Sequence, residues 1–405
     1  MDRAILHSDI NSYYASVERL YRPSLEGKPF AVCGSQEARH GIVLAKDETA
    51  KRAGVKTGMA IWQARQLCPE LQIVEPHFER YAKYSEIVRE IYAEYTDLCE
   101  PFGIDESWLD ITNCLACPDP RKTADEIRRR VKSETGLTVS VGVSWNKVLA
   151  KLGSDYKKPD AVTVIDREHF KSMVWGLPAS DMLMVGRSTR RELARMGIQT
   201  IGELACTDPE LLRSRFGKGG TVLWRYANGL DDSRVRRAGE EEPPQSVGNS
   251  VTLAHNVETE RQARETLLML AESVSARLRR QKLCCRTVEV ALRSEELKWT
   301  THRVRLRYAT DVTASLASCG IELVRQCHDF SEPLHSMGLR ALELVHADGD
   351  EQIDIFIDYV NLNKQRSIDA AIDSIREKYG AASIQRACLL GDPSAANLAF
   401  CSLPD

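Results

Sequence analysis

Three carboxylates in this chain of 405 residues stand where they could hold divalent cations. Asp9 closes the short run AILHSD, residues 4–9. Asp105 and Glu106 sit side by side in CEPFGIDESWLDI, residues 99–111, which reads as a strand, a tight turn and a returning strand. Two adjacent acids at an apolar hairpin tip repel each other in a partly desolvated setting, and a cation relieves the repulsion. Magnesium suits such a set, because it takes few hard oxygens from protein and leaves the rest of its shell to water and substrate phosphates. Two such ions, about 4 Å apart, would clamp the attacking and leaving oxygens of an in-line phosphoryl displacement. Spacing alone also allows a second reading, in which Asp9 caps the following helix and Asp105–Glu106 is a solvated turn.

The elements that must position these acids follow from periodicity. Residues 4–9 predict a buried strand and 12–22 a helix bearing Tyr14, Val17 and Glu18. Short strands are expected at 29–34 and 41–45, and a helical stretch at 47–67 is interrupted by GVKTG, residues 54–58. Helices over 80–98, 123–135 and 146–155 and a strand over 138–144 complete a mixed α/β domain across 1–165. From 167 to about 239 the pattern is purely helical, with a capping box of Thr189 and Glu192 and a helix stop at Gly197. AGEEEPPQ, residues 238–245, is charged, Pro-rich and aperiodic, and reads as a linker. Beyond it, a strand (246–253), a helix (259–281), two strands (287–293, 299–308), a helix (313–327) and a strand (336–346) spell β-α-β-β-α-β. A tail over 348–405 carries a basic helix near 367–379, and the class is α+β.

Composition narrows the function. No run approaches the roughly 18 apolar residues that cross a bilayer, and the start lacks the apolar core of a signal peptide, so a cytoplasmic protein without membrane contact is expected. The 12 cysteines are scattered; one CxxC (Cys114, Cys117) and one adjacent pair (Cys284, Cys285) have no second ligand pair nearby, so free thiols are expected rather than zinc. A net charge of −3 excludes a uniformly basic coat. Residues 261–310 nonetheless hold 12 Lys/Arg against 5 acids, a local +7 that suits a polyanion. Within them THRVRLRY, residues 301–308, sets Arg303, Arg305 and Arg307 on one side of a strand and Val304, Leu306 and Tyr308 on the other. Alternate side chains lie about 7 Å apart, comparable with phosphate spacing along a nucleic-acid strand, and Arg293 on the preceding strand can join them.

Three blocks carry a family resemblance: HSDINSYYASVE (7–18), GIDESWLD (103–110) and SVGVSWNKVLAKLGSDYKKPD (140–160). Together they resemble the signature blocks of the Y-family DNA polymerases in their bacterial DinB-type, DNA polymerase IV-like branch, in order and spacing over about 1–346. The resemblance implies a right-handed polymerase with a mixed-sheet palm (1–10 and 76–165), small fingers (11–75), an all-helical thumb (166–239), a linker (240–245), a little finger (246–346) and a tail (347–405). It implies that two Mg2+ ions are held by Asp9, Asp105, Glu106 and the backbone of Ile10, and that the dNTP is met by Tyr13, Tyr14, Lys51 and Lys158. Tyr14 falls on the steric gate against a 2′-hydroxyl, Lys158 on the lysine that neutralises the triphosphate, and Asp155 on a supporting position.

The block at 181–204 resembles a helix-hairpin-helix, in which Gly186 opens a helix whose amides face a DNA phosphate, although the usual second glycine is missing. The arginines 293, 303, 305 and 307 fall on the little-finger surface that holds duplex DNA. Gln352-Ile353-Asp354-Ile355-Phe356 resembles a sliding-clamp peptide, with Gln352, Ile355 and Phe356 as its contacts; a strand on the protein's own surface is the other reading. Two departures stand out: Asn11 where many relatives have Asp, and Glu48 and Lys51 where relatives often show Tyr and Arg. The expected activity is template-directed, error-prone DNA synthesis in lesion bypass by a monomer, on primer-template DNA. The alternatives are a catalytically silent DNA-binding scaffold recruited by the clamp, or another palm-like nucleotidyl transferase such as a cyclase.

Overall fold

A computed structural model describes residues 2–35, 39, 41–240, 242–348 and 358–389; the expected clamp contacts Gln352, Ile355 and Phe356 lie outside the described residues. The chain divides into two compact units, Met1–Gly34 with Ile42–Glu241 and Ser35–Gly41 with Glu242–Asp405. Among the described residues no helix is long and apolar enough to cross a membrane.

The first unit opens with β1 (Ile5–Ile10), α1 (Tyr13–Tyr21), β2 (Phe30–Cys33), β3 (Val43–Lys46), α2 (Glu48–Arg52), α3 (Ile61–Leu67), β4 (Gln72–Val74) and α4 (Phe78–Ala93). β5 (Cys99–Pro101), β6 (Glu106–Asp110), α5 (Pro120–Thr135), β7 (Val139–Ser144), α6 (Lys147–Tyr156) and β8 (Val162–Val164) follow. Short helices then close the unit: α7 (Phe170–Val174), α8 (Arg187–Arg195), α9 (Ile201–Cys206), α10 (Pro209–Phe216) and α11 (Lys218–Ala227). The main sheet runs β5-β6-β1-β7-β8 and a smaller one β3-β2-β4. The short strands β4 and β8, three residues each, carry too little periodicity to be found in the sequence.

Strand β1 lies centrally and is buried along its whole length. Leu6 and Ile10 join Val139, Val141 and Val143 of β7 in a core completed by Tyr81, Val88 and Ile91 of α4 and Ile127 and Val131 of α5. The alternate residues Ile5, His7 and Asp9 therefore point to the other face, where α6 lies. The opposite side of α6 (Val148, Leu149, Leu152) packs with Phe170, Leu193, Ile201, Leu204 and Leu223 of the helical segment. The site-bearing sheet and the short helices thus share one element. Gly142 permits it: a Cβ there would stand 1.9 Å from the carbonyl oxygen of Ala150 and 2.4 Å from the amide of Ser154.

Three local expectations need correction. The helix expected over 80–98 ends at Ala93, because the chain must reverse before β5, where Thr96 Oγ1 donates to the Asp110 carbonyl at 2.8 Å. The helical pattern expected to about 239 ends at Ala227; the following segment is held instead by Asn146 Nδ2 on the Gly229 carbonyl (2.9 Å) and by Arg236 on Glu100 (2.8 Å). Thr189 and Glu192 lie inside α8, whose N-cap is Gly186, and Glu192 pairs with Arg195 and Arg215; the capping box sits on α9, between Thr200 and Glu203. Gly197 does end α8, at φ +80.

The second unit contains β9 (Ser246–Val257), α12 (Glu260–Arg280), β10 (Leu283–Ser294), β11 (Trp299–Thr310), α13 (Thr313–Cys327), β12 (Leu334–His346) and α14 (Tyr359–Tyr379). Its sheet runs β11-β10-β12-β9. Leu267, Leu270, Val274 and Leu278 of α12 and Leu316 of α13 pack on Val288, Val290, Leu292, Met337 and Leu339, so both helices cover one face. The tail helix is longer than expected and docks through ion pairs: Arg279 with Asp369 (3.5 Å) and Asp373 (2.6 Å), Arg366 with Asp311 (3.0 Å), and Arg376 with Glu272 (2.9 Å). Part of the basic charge of residues 261–310 is therefore used internally, and the +7 is not concentrated on one surface.

Because α6 rests on the bare backbone of Gly142, the substitution Gly142→Ala is expected to destabilise the protein by about 1–3 kcal/mol or more, read from the urea unfolding midpoint. An unchanged midpoint would show that α6 is free to lift from the sheet.

Candidate active site

The sheet register brings the three carboxylates together. Asp9 on β1 lies directly opposite Glu106 on β6, and the amide of Ile10 donates to the carbonyl of Asp105 at 3.0 Å. The convergence arises from strand pairing, although nearly a hundred residues separate the two segments. Asp9 is only 6% exposed.

Two lysines from α6 and the loop after it meet these acids. Lys158 Nζ lies 2.7 Å from Asp9 and 2.9 Å from Asp155. Lys151 Nζ lies 2.7 Å from Glu106, 3.2 Å from Asp155 and 3.5 Å from Asp9. His7, on the same strand face as Asp9, has Nε2 3.3 Å from Glu106 and Nδ1 2.8 Å from Ser154 Oγ. Sequence reasoning missed His7 and Lys151. The first was findable as the residue two before Asp9 on a strand, the second as the residue four before Asp155 on a helix.

The electrostatics follow from burial and these neighbours. Burial pushes the Asp9 carboxyl up to about 6, despite the pull of Lys158. Burial and then the Glu106 charge also raise Asp105. At Glu106 burial opposes ionisation, but the neighbouring His7 and the Lys151 ammonium outweigh it and bring it down to about 2. Burial holds His7 down at about 4 despite Glu106. Burial likewise works against the Lys151 and Lys158 ammoniums, yet the surrounding carboxylates hold both above the ordinary lysine value. Among the described residues no group of three or more His, Cys, Asp or Glu side chains forms a metal cluster, and the ammoniums stand between the acids instead. A converging set of hard oxygens with two members pushed towards protonation fits a divalent cation that takes few protein ligands.

The expected nucleotide residues divide. The Tyr14 ring stacks on Tyr81 at 4.1 Å and 9° and meets Phe78 edge-on at 6.0 Å, so it is braced from behind. Burial and then Asp105 raise its phenol, which places that carboxylate near the ring. Tyr13, by contrast, is buried with its hydroxyl donating to the Tyr81 carbonyl, and its ring belongs to the core rather than to a substrate surface. Lys51, 48% exposed on α2, pairs with Glu48 at 3.4 Å, and Glu48 also accepts from Ser12 Oγ at 3.3 Å. Lys46, also missed, is held below its ordinary value by burial, Lys51 and Lys158, so three ammoniums share this region. Asn11 is buried; its amide donates to Ser140 Oγ and its carbonyl accepts from the Asp160 amide, both at 2.9 Å, which ties the Lys158 loop to the end of β1.

Gly186 is the N-cap of α8, with open space beside its Cα. In the second unit, Arg303, Arg305 and Arg307 are exposed on the edge strand β11. Arg303 and Arg305 stand across from Glu289 and Thr287 of β10. Val304 stays 40% exposed while Leu306 packs on the core, so the apolar side of this strand is covered only in part. Arg293 lies against the Trp299 ring at 5.5 Å. Arg340 of β12, which the sequence did not suggest, pairs with Glu289 at 3.5 Å on the face opposite the helices.

The fold and the site together define a palm-type nucleotidyl-transfer enzyme. Comparison with known proteins adds the family. Residues 8–155 match the impB/mucB/samB family and residues 244–355 its C-terminal domain. The chain is 44% identical to a DNA polymerase IV of Acetivibrio thermocellus, over 97% of this chain and 98% of the relative. It is 36% identical to DNA polymerase IV 1 of Bacillus subtilis, over 96% and 93%. The structure matches a Y-family DNA polymerase chimera at a TM-score of 0.74 and 22% identity, covering 85% of this chain and 99% of that one. The chain therefore belongs to the impB/mucB/samB family, with relatives of the DNA polymerase IV type, and its reaction class is DNA-directed DNA polymerisation. Polymerases of this kind work with divalent metal ions.

The raised Asp9 carboxyl has a pH signature. Its folded value lies above the ordinary 3.8, so the folded state binds more protons and Asp9 makes stability fall as pH rises from about 4 to about 6. His7, held down at about 4, acts oppositely in an overlapping range, so the comparison must isolate Asp9. The stability of Asp9→Asn relative to wild type, from urea unfolding in chelator, is expected to climb across that range and level off above about 6. A pH-independent difference would show that Asp9 is not held out of its ordinary range.

Proposed function

We propose that this protein copies damaged DNA templates, adding deoxynucleotides to a primer 3′ end by two-metal phosphoryl transfer. The observation that carries the reading is the pairing of Asp9 with Glu106 across β1 and β6, with Asp105 bonded alongside through Ile10. In this reading Asp9, Asp105, Glu106 and the Ile10 carbonyl would hold two magnesium ions, which would supply positive charge to the reacting phosphate oxygens. Lys158 exchanges Asp9 for the triphosphate and meets the charge that grows on the leaving pyrophosphate. Lys51 and Lys46 add positive charge from the α2 side. Tyr14, held rigid by Tyr81 and Phe78, closes the space a 2′-hydroxyl would occupy.

In this reading the domains are palm (1–10 and 76–165), fingers (11–75), thumb (166–239), linker (240–245), little finger (246–346) and tail (347–405). The fingers amount to the small sheet β3-β2-β4 with α2 and α3, too little protein to test base-pair shape closely, which suits passage of damaged bases at the expense of discrimination. The α8 amides behind Gly186 and the arginines 293, 303, 305 and 307 hold the primer-template backbone. The protein works as a cytoplasmic monomer, docked on the sliding clamp through Gln352, Ile355 and Phe356; the sequence pattern of that peptide supports the docking.

Magnesium-dependent primer extension on undamaged and lesion-bearing templates tests the reading. Asp105→Ala and Glu106→Ala are each expected to lower extension on the order of 10³-fold while leaving DNA binding intact; equal extension by all three proteins would leave only a DNA-binding scaffold. Tyr14→Ala is expected to lower discrimination against ribonucleotides by about tenfold or more, and unchanged sugar selectivity would place the gate elsewhere. Changing Arg303, Arg305 and Arg307 to Glu is expected to weaken DNA binding and reduce the slope of log affinity against log salt by about 3. An unaltered slope would remove that strand from the DNA contact.

A further inference from the structure

The CxxC turn has no part in the chemistry above. It follows β6 and leads into α5, through two successive turns in which the Cys114 amide donates to the Ile111 carbonyl (3.1 Å) and the Cys117 amide to the Cys114 carbonyl (3.0 Å). These turns bring the two sulfurs to 2.8 Å, with the Cys114 thiol donating to Cys117. Both are free thiols, and a disulfide needs only a further approach to about 2.05 Å. The surroundings are fixed on both sides: Thr112 Oγ1 accepts from the Ala4 amide at 2.9 Å before the turn, and Asp119 caps α5 after it. Bond formation therefore needs no movement of β6 or α5.

The two sulfurs are unequal. Cys117 is 7% exposed and packed into the core of the sheet, whereas Cys114 is half-buried beside the fully exposed Leu115. An external disulfide can reach Cys114 but not Cys117. Burial, and then the bond from Cys114, push the Cys117 thiol up to about 11, which marks it as the poorer first nucleophile of the two. Cys284 and Cys285 are adjacent on a strand and point to opposite faces, and Cys206 and Cys388 are exposed. Nor do the described residues offer the third and fourth ligands of a zinc site.

We propose that Cys114 and Cys117 form a two-electron redox site that closes a disulfide by exchange with a low-molecular-weight disulfide. The Cys114 thiolate attacks one sulfur of the external disulfide and expels the first thiolate. Cys117 then gives up its proton to solvent and attacks Cys114 Sγ, expelling the second. The external disulfide is reduced to two thiols as the two cysteines are oxidised to one bond.

The test uses the full chain in oxidised and reduced glutathione at graded ratios, with acid quench, alkylation and peptide mass analysis. In wild type, the peptide holding both cysteines is expected to lose two hydrogens and carry no glutathione, while Cys206 and Cys388 take up glutathione. Cys117→Ala is expected to trap glutathione on Cys114, and Cys114→Ala to abolish closure. Wild-type protein that keeps glutathione on Cys114 without closing would overturn the assignment. So would a pair that stays reduced at ratios that load Cys206, or stoichiometric zinc retained by the purified protein.

Discussion

Buried negative charge at the end of β1 is the constraint that organises the first unit. Asp9 lies opposite Glu106 by strand register, with Asp105 bonded alongside through the Ile10 amide. Leaving such charges uncompensated in a low-dielectric setting is expensive. The remaining elements answer that cost. α6 lies close on the sheet because Gly142 has no side chain, and it delivers Lys151 and, two residues beyond its end, Lys158. Asn11 fastens the loop that carries Lys158, using both ends of its amide, a pairing that an acid at this position could not make unchanged. The lysines neutralise the acids, and the oxygens they meet are the ones a divalent cation would take.

The asymmetry within this set has a structural origin. Glu106 receives both His7 and the nearer contact from Lys151 and stays ionised, whereas Asp9 is more deeply enclosed and is raised. Carboxylates whose environments push them apart are common where chemistry is done. His7 matters here as a neutral neighbour of Glu106, because its burial keeps it uncharged near neutrality.

Much of this was legible in the sequence where side-chain period and acid spacing speak directly. The main strands, the hairpin of residues 99–111, the long helices and the β-α-β-β-α-β order of the second unit all follow from apolar periodicity, and the structure places Asp9 beside Glu106 as expected. What escaped were features that depend on partners distant in the chain. Lys151 looks like a solvated helix lysine until β6 is laid beside β1, and Tyr13 looks equivalent to Tyr14 until α4 claims its hydroxyl. The capping box was misplaced for a similar reason: Glu192 is used by Arg215 on a neighbouring helix, and a real box with equally good spacing lies eleven residues on. The basic stretch of residues 261–310 was read as one surface because sequence cannot show that Arg279 is consumed by the tail helix.

That consumption changes where the second unit ends. Glu272, almost wholly enclosed within α12, takes both of its cations, Arg376 and Arg386, from beyond β12, and Asp369 of the tail in turn partners Arg279 and Arg386. A fragment cut at His346 would retain the strands and both covering helices of this unit yet leave Glu272 without either arginine. The topological border and the electrostatic border of this domain are therefore different places, some forty residues apart.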